Sequence, residues 1–596
     1  MVSSINSYDM RKIISSLFLE VFVAFVIINF LGSMNIIPEK YFFDFAEYDI
    51  VRSFWMASPI IFLYLVLRLF SLGCFLSLYL SVIVALAFIF INATKSSLTG
   101  EPVSYNDIVA GFNFSLALKY LSVKSIAVIV LAFVFGGIVL LIDKKIALFR
   151  ANRPVVIFIL FIIVPMVFAP YIYSSAIASN KIKEKIVLLN AKYNMEYYSW
   201  DWPGNAQKNG LPIHIIQTSV RRSVPAASFK EVKEFIRIKS ITHSVAPIKK
   251  TVIFVLCESC WFDNNNFKEL FNPLLDDGYV NMRATSPVYG AGTANAEFEM
   301  LTGLPSNSEY ISGIIYQEYA DIFKDNAASI ASSLKEKGYY TFAAHNNSRQ
   351  FWRRNTVYKK FGFDEFVDFS QMGDVPPELM QEKQPWQWQP DDYLLYNAAI
   401  KALEKRKGQP IFMNLISMST HGPYQHINDS GESVYKYEIS ESVSRLLHFT
   451  REVEKIDKDA VIVIYGDHKP ALNKYFHEHG VFSGDMFSRT GSKDEDFSFK
   501  LNVMPTEYGD VPVLIKSNDH AALADLQEEA NQKPFYCVAS LIDKNLIKSG
   551  LFSFSYTQGH GCDEPLYKDA NGYRKLIDEV PSWVYSLSLF EEPLDK

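Results

Sequence analysis

A threonine that follows a run of small residues is the feature of this sequence best placed to do chemistry. Thr293 lies in the segment Val288–Glu299, directly after Gly290, Ala291 and Gly292. Glycines in such a turn keep side chains out of the way, so backbone and substrate can approach closely. A threonine hydroxyl is a weak nucleophile unless a base or a metal ion activates it. Thr293 therefore needs an activating group beside it.

Glu258, Asp467 and His468 form a candidate metal-binding set that would activate Thr293. Carboxylate and imidazole groups suit zinc or manganese, although an Asp-His pair alone equally fits a surface turn. A divalent ion bound by these three side chains and by the Thr293 oxygen would lower the pKa of the hydroxyl, so that an alkoxide forms near neutral pH. The resulting alkoxide is able to attack a phosphorus atom in line, while the ion neutralises charge on the phosphoryl oxygens.

A second set of side chains would hold the phosphate and the transferred group: His345, Trp352, Arg354 and His421. The planar fork of Arg354 suits phosphate oxygens, and Trp352 suits packing against a head group or an acyl-glycerol portion. The alternative for Trp352 is plain packing. The alternative for Arg354 and for its neighbour Arg353 is a solvated surface charge, and this alternative is favoured for Arg353. His560 is a weaker candidate, because a loop histidine explains it equally well.

An α/β pattern that begins at 250 positions these side chains. Short apolar runs typical of buried parallel strands occur at 251–256, 339–344, 410–416, 461–465 and 511–515, with helical patterns such as 325–337 and 393–406 between them. In such sheets ligands bind beyond the carboxyl ends of the strands. Glu258, His345, His421 and Asp467 each follow one of the first four runs. We therefore expect the candidate residues to meet at one edge of a sheet.

The N-terminal part of the chain is predicted to be a membrane domain, residues 1–176. Apolar stretches long enough to span a bilayer as helices occur near 13–34, 53–70, 72–93, 124–142 and 154–176. Basic residues before the first stretch and between the last two favour a cytoplasmic N-terminus. Five crossings and a connector at 177–248 then deliver a catalytic domain, 249–596, to the extracytoplasmic face. Glu20 and Arg68 lie inside predicted spans, and structural or interfacial roles are favoured for them.

Composition and location narrow the reaction. The 596-residue chain carries a net charge of −6, and nothing in it is basic enough to indicate a nucleic-acid partner. No ATP is available outside the cytoplasmic membrane, so a group transfer there needs a donor that carries its own leaving group. A phospholipid meets that requirement.

The order of these motifs resembles the lipoteichoic acid synthase and phosphoglycerol transferase family, a membrane-bound branch of the alkaline phosphatase and sulfatase superfamily. The resemblance implies a five-helix transmembrane bundle and an α/β sulfatase-like extracytoplasmic domain, held in a bacterial cytoplasmic (inner) membrane. It implies one divalent ion, with manganese expected and zinc or magnesium as alternatives. The nucleophile of the family falls on Thr293, its metal ligands on Glu258, Thr293, Asp467 and His468, and its head-group contacts on His345, Trp352, Arg354 and His421.

The resemblance implies transfer of a phosphoglycerol head group from phosphatidylglycerol through Thr293 to a glycan, with release of diacylglycerol. The sequence after Thr293 is closer to members that act on periplasmic glucans or other envelope glycans. The alternatives are a phosphoethanolamine transferase that uses phosphatidylethanolamine, and a phosphodiesterase or other hydrolase. Sulfatase activity is disfavoured because the nucleophile turn lacks a Cys/Ser-x-Pro-x-Arg motif. An inactive scaffold is disfavoured because the full set of metal ligands is present.

Two features depart from the family pattern. The predicted outer domain carries Cys257, Cys260, Cys537 and Cys562, which allow three pairings in an oxidising compartment, with Cys537–Cys562 as the first expectation. Residues after 480 match no family motif, and acceptor recognition is expected there.

Overall fold

The computed structural model describes most of the chain in two compact units, residues 1–221 and 222–596. The described residues are 7–33, 47–70, 72–99, 102–109, 123–145, 152–174, 202–218, 224–243, 250–311, 313–380, 387, 389–424, 431–489, 491–492, 497–499, 504–563 and 570–591.

The described part of the first unit is helical. Its helices are Ser7–Ser33, Glu47–Leu69, Cys74–Thr99, Tyr105–Val109, Val123–Lys145, Arg153–Ser174, Trp202–Asn209 and Leu211–Thr218. Each of the five apolar stretches predicted from the sequence lies largely in one of these helices. Among the described residues, three segments are long and apolar enough to cross a membrane, namely Met10–Ser33, Arg52–Leu69 and Cys74–Ala93. The N-terminal unit is therefore a set of apolar helices, while five crossings remain a prediction.

A buried ion pair accounts for the two charges inside the predicted spans. The Arg68 guanidinium lies 2.8 Å from the Glu20 carboxylate, and both side chains are fully buried. The Tyr64 hydroxyl donates a second hydrogen bond to Glu20, at 2.5 Å. Burying either charge alone would be costly, so the pair ties two helices together in a structural role.

The second unit is built around a mixed β-sheet. Its strands are β1 (Val252–Cys257), β2 (Val280–Thr285), β3 (Tyr340–His345), β4 (Glu365–Asp368), β5 (Ile411–Ile416), β6 (Val461–Gly466), β7 (Phe487–Arg489), β8 (Phe497–Phe499), β9 (Asp510–Lys516) and β10 (Lys533–Pro534). The main sheet has the order β10-β2-β9-β6-β1-β5-β3-β4, and β7 pairs with β8 separately. β1 lies between β5 and β6 and is parallel to both.

Helices connect these strands. They are Phe229–His243, Lys268–Asp276, Thr293–Thr302, Ile315–Tyr319, Ile330–Glu336, Arg354–Lys360, Asp392–Lys405, Glu432–Ile456, Asn473–Glu478, Pro505–Tyr508, His520–Ala530, Phe535–Ile542, Phe552–Thr557, Ala570–Asp578 and Ser582–Tyr585. All five predicted strand runs are strands of this sheet. The expected parallel direction of the run at 511–515 is wrong, because β9 is antiparallel to both β2 and β6. A continuous apolar run reports burial on both faces and carries no information on strand direction.

Two disulfides close the cysteine set of the second unit. Cys537 is bonded to Cys562, which confirms the expected pairing, and Cys257 is bonded to Cys260. The remaining cysteine, Cys74, is a buried free thiol in the first unit.

The disulfide assignment predicts a thiol count. Denatured but unreduced protein should react with one maleimide per chain, through Cys74, and with five after reduction. A Cys74→Ser variant should show none before reduction. Three or five reactive thiols in the unreduced wild type would contradict the assignment.

Loss of Cys537–Cys562, which closes a 25-residue separation, should destabilise the fold by about 3 kcal/mol.

Candidate active site

The two central strands bring the candidate metal ligands together. β1 and β6 pair so that Cys257 lies opposite Gly466, which places Glu258 and Asp467 one residue beyond the same edge. A Cβ atom at Gly466 would lie 1.9 Å from the carbonyl oxygen of Cys260. Glycine at 466 therefore lets the turn after β1 fold back against the end of β6.

Glu258, Asp467 and His468 form a compact buried cluster. One potential ligand atom from each lies within 4.8 Å of the others. His468 Nε2 is 3.1 Å from Asp467 Oδ2 and 3.6 Å from Glu258 Oε1. All three side chains are almost completely buried. These distances leave room for one ion at the centre of the cluster.

The protonation pattern of the cluster fits a divalent cation. His468 Nδ1 lies 3.0 Å from the carbonyl oxygen of Lys469, which only accepts, so Nδ1 carries the proton. In the neutral ring Nε2 then presents a lone pair, and among the described residues it has no hydrogen-bond partner. Burial and the neighbouring Glu258 carboxylate raise the pKa of Asp467. Three electron-rich groups that face one another satisfy the requirement of a metal site.

The nucleophile turn places Thr293 at the edge of this cluster. Gly292 has a φ of 92°, and its Cβ would lie 2.9 Å from Val288, so only glycine fits there. Thr293 begins the helix Thr293–Thr302, called the Thr293 helix below. Its hydroxyl donates to Glu258 Oε2 at 3.2 Å. Backbone N–H groups at the start of a helix also favour a phosphate.

The same helix holds the predicted phosphate-binding arginine. Arg354 Nε donates to Glu297 Oε2 at 3.0 Å, and both residues are buried. Tyr316 and Tyr358 donate to the other oxygen of Glu297. Burial opposes the charge of Arg354, yet Glu297 raises its pKa above the usual value. Arg354 Nη1 is buried and has no partner in the described part of the chain, so it remains a donor for an anion.

His345 lies at the end of β3 as a buried neutral ring. Its Nδ1 donates to the carbonyl oxygen of Ile416 at 3.0 Å. Burial first, and then the charge of Arg354, lower the pKa of His345 well below its usual value. Nε2 is thus a lone-pair acceptor, and within the described ranges nothing in the protein donates to it. A substrate hydroxyl is the group that this atom suits.

His421 follows β5 in a loop and is only half-buried, unlike His345. Its Nδ1 lies 2.7 Å from the carbonyl oxygen of Gly422, and its own carbonyl accepts from the Gln389 amide. His421 also contributes to the lowered pKa of His345, so the two histidines lie in each other's field.

The remaining candidates divide between the site and its surroundings. Trp352 is buried and packs on Phe351 with ring centroids 5.1 Å apart. Arg353 forms an ion pair with Asp321 rather than a solvated charge. His560 is exposed and stacks on Tyr556, which fits a loop histidine.

Two buried carboxylates near the site escaped the sequence reasoning. Glu297, the partner of Arg354, lies four residues after Thr293 within the segment already singled out. Asp392 accepts hydrogen bonds from Asn346, Met418, Ser419 and Ser442. Asp392 therefore fixes the loop that leads to His421 against Asn346, the residue next to His345. The position of Asp392 at the start of a helix was the available signal, but that position does not identify the groups that Asp392 contacts.

Comparison with known proteins finds relatives of the second unit. Residues 250–533 match the sulfatase family model. The chain is 27% identical over 324 residues to a putative cyclic beta-1,2-glucan modification protein of Rhizobium meliloti, covering 50% of this chain and 48% of that protein. It is 27% identical over 197 residues to a lipoteichoic acid synthase of Staphylococcus saprophyticus, covering 30% of this chain and 27% of that protein. The match thus spans about half or less of these relatives.

A solved structure also matches the chain. The phosphoglycerol transferase GacH of Streptococcus pyogenes, in complex with sn-glycerol-1-phosphate, covers 61% of this chain and 95% of its own, with 16% identity and a TM-score of 0.42. Several further lipoteichoic acid synthases match over the same kind of range. The sulfatase match and the lipoteichoic acid synthase relatives support the resemblance that the motifs indicated, to the lipoteichoic acid synthase and phosphoglycerol transferase family of the sulfatase superfamily.

Proposed function

We propose that this protein moves the phosphoglycerol head group of phosphatidylglycerol, through a covalent intermediate on Thr293, to a hydroxyl of an envelope or periplasmic glycan. Diacylglycerol is the first product. The observation that carries the proposal is the contact of the Thr293 hydroxyl with Glu258, 3.2 Å away, at the edge of the buried cluster with Asp467 and His468. The name of the Rhizobium relative supports a glycan acceptor.

The proposed metal site consists of Glu258, Asp467, His468 and the Thr293 oxygen. Manganese is the expected ion, and zinc and magnesium are the alternatives. When bound, such an ion lowers the pKa of a hydroxyl beside it and neutralises charge on phosphoryl oxygens. The ligand set of two carboxylates and one imidazole suits all three metals, with the nitrogen favouring manganese or zinc over magnesium.

The proposed transfer has two steps, and side chains of this protein act in both. The Thr293 oxygen forms a bond to phosphorus, the bond to the diacylglycerol oxygen breaks, and that oxygen takes up a proton. Glu258 Oε2 is the nearest acceptor for the hydroxyl proton of Thr293. In the second step an acceptor hydroxyl attacks phosphorus, loses its proton and releases Thr293. His421, half-buried beside the site, is one of the predicted substrate-binding residues and is proposed also to carry this proton.

Arg354, His345 and Trp352 are proposed to bind the head group. Arg354 Nη1 would donate to a phosphoryl oxygen, and His345 Nε2 would accept from a glycerol hydroxyl. The buried charge of Arg354, which already depresses the pKa of His345, would repel an ammonium group in the same place. This charge favours glycerol over ethanolamine as the head group.

The proposed location is a bacterial cytoplasmic (inner) membrane, with a multi-pass anchor and the catalytic domain on the periplasmic or extracellular side. The apolar N-terminal helices support anchoring. The basic residues before the first predicted span and between the last two support the orientation. Phosphatidylglycerol is within reach of an enzyme so placed.

Replacing Thr293 by alanine should abolish turnover. Diacylglycerol release from phosphatidylglycerol should fall by at least about 10³-fold, because the attacking oxygen is gone. Wild-type enzyme quenched early in the reaction should carry one glycerophosphoryl group on Thr293 by peptide mass spectrometry. Thr302→Ala is the matched control, since Thr302 ends the same helix and its hydroxyl bonds only within the protein. Diacylglycerol release by Thr293→Ala at the wild-type rate would refute the proposal.

Removing the metal ion should abolish the activity of the enzyme, and restoring the ion should recover it. Dialysis against EDTA should lower diacylglycerol release by about 10³-fold, and added Mn²⁺ should restore it. Elemental analysis should find one ion per wild-type chain and clearly less in His468→Ala. His448→Ala, which removes an exposed imidazole from the helix Glu432–Ile456, should retain the ion. A metal-free protein with full activity would exclude the proposed site.

The choice of donor lipid is testable directly. Vesicles of phosphatidylglycerol should yield diacylglycerol at least about tenfold faster than vesicles of phosphatidylethanolamine, because Arg354 disfavours a second positive charge. Arg354→Gln should narrow that ratio as well as lower the rate. A preference for phosphatidylethanolamine would make the protein a phosphoethanolamine transferase. Release of glycerophosphate to water in the presence of a glycan acceptor would make it a hydrolase.

A further inference from the structure

An apolar cavity of about 210 Å³ lies within the first unit. Three long helices (Ser7–Ser33, Glu47–Leu69 and Cys74–Thr99) and the short helix Leu211–Thr218 provide its walls. Every lining residue is apolar. Apolar walls offer water no hydrogen bonds, so a cavity of this kind suits an apolar ligand. No motif of the sequence predicts a function for this cavity, and it lies outside the catalytic unit.

We propose that this cavity binds one acyl chain of the phospholipid donor, with Arg52 holding the lipid phosphate above it. The inference rests on the proposed function, because it names a second binding site for the same substrate.

The positive charge that fits this ligand lies on a cavity-lining helix. Arg52 precedes Pro59 by seven residues and Leu63 by eleven, and both of these line the cavity. At 3.6 residues per turn the three side chains share one face of the helix. The rise of 1.5 Å per residue puts Arg52 roughly 10 Å above Pro59 along the axis. A phospholipid has the same arrangement, an anionic phosphate at the interface with its chains below.

Contacts at the upper end fix this arginine in place. The Arg52 guanidinium donates to the carbonyl oxygen of Lys208, at the end of the helix Trp202–Asn209. Gly210, which has a φ of 84°, lies against Met56 one turn below. The segment 202–218 therefore packs against the cavity-lining helix at the level of Arg52 and Met56, and it supplies Leu211, Pro212, Ile215 and Ile216 to the cavity wall.

The depth of the cavity agrees with a lipid ligand. Arg52–Leu69 is long enough to cross the hydrocarbon core, so Arg52 marks one interface of the bilayer. Pro59 and Leu63 then lie within the leaflet on that side. Residues 202–218 follow the last predicted span, so the proposed topology makes this the outer leaflet. A glycan acceptor would lose hydrogen bonds to water in such a cavity, whereas an acyl chain loses none.

Photo-crosslinking tests occupancy without requiring turnover. The probe is phosphatidylglycerol with a diazirine in one acyl chain, used with full-length Thr293→Ala protein in phosphatidylglycerol nanodiscs. Peptide mass spectrometry should place the label on 84–89 or 211–216. Ala85→Trp, which fills the cavity, and Arg52→Gln should each lower the yield there severalfold. Label spread evenly over lipid-facing residues, or unchanged by Ala85→Trp, would overturn the proposal.

Kinetics with two chain lengths separate this proposal from the proposed function. Ala85→Trp should raise KM for long-chain phosphatidylglycerol by about tenfold, the value of burying roughly two methylene groups, with kcat unchanged. Turnover of the dihexanoyl lipid, whose chains are too short to fill the cavity, should not change. Ala87→Trp, at an exposed position of the same helix, is the matched control.

The outcomes are distinguishable. Equal effects of Ala85→Trp on both lipids would overturn the cavity proposal and leave the transferase intact. Failure of wild-type protein to turn over either lipid would refute the proposed function, and the crosslinking result would then decide the cavity by itself.

Discussion

Two buried carboxylates held face to face are the constraint on which the catalytic unit depends. Taking Glu258 and Asp467 out of water costs several kcal/mol for each charge, and their mutual repulsion adds to it. Part of this free-energy cost is offset by a hydrogen bond, because the backbone N–H of Ser259 donates to Asp467 at 2.7 Å. The register of β1 and β6 still prevents the groups from separating. A rigid arrangement that is unfavourable when empty has high affinity for a cation, and this is the physical basis of the proposed site.

The Thr293 helix transmits that constraint to the rest of the site. Its first residue contacts Glu258, and four residues later Glu297 holds Arg354. One turn of helix thus fixes both the proposed nucleophile and the guanidinium that would meet the phosphate. A shift of the helix would displace both together, which would keep their separation constant during the two proposed displacements at one phosphorus atom. Proximity of this kind is a large part of the rate enhancement that enzymes achieve.

The sequence was informative where a property is local. Apolar runs identified five strands of the sheet, and their carboxyl ends located Glu258, His345 and Asp467, because strand order matters little when all ends share one edge. The apolar runs did not include β2 and β4, which are interrupted by polar and partly exposed residues, or the two-residue β10. The buried carboxylates Glu297 and Asp392 were also not predictable, since each pairs with residues at least 19 positions away, and no local pattern encodes such contacts.

The C-terminal part of the chain shows no family motif in the sequence after residue 480, yet the sulfatase match extends to residue 533 and this part is built into the catalytic framework. β9 (Asp510–Lys516) lies between β2 and β6, so the strand that carries Asp467 and His468 has β1 on one side and this late segment on the other. The helix Phe535–Ile542 packs against the Thr293 helix. The strand that leads to the candidate metal ligands and the helix that begins at Thr293 are therefore both held by residues beyond 510. An acceptor that contacts this region would act on the same rigid framework that sets the distance between Thr293 and Glu258.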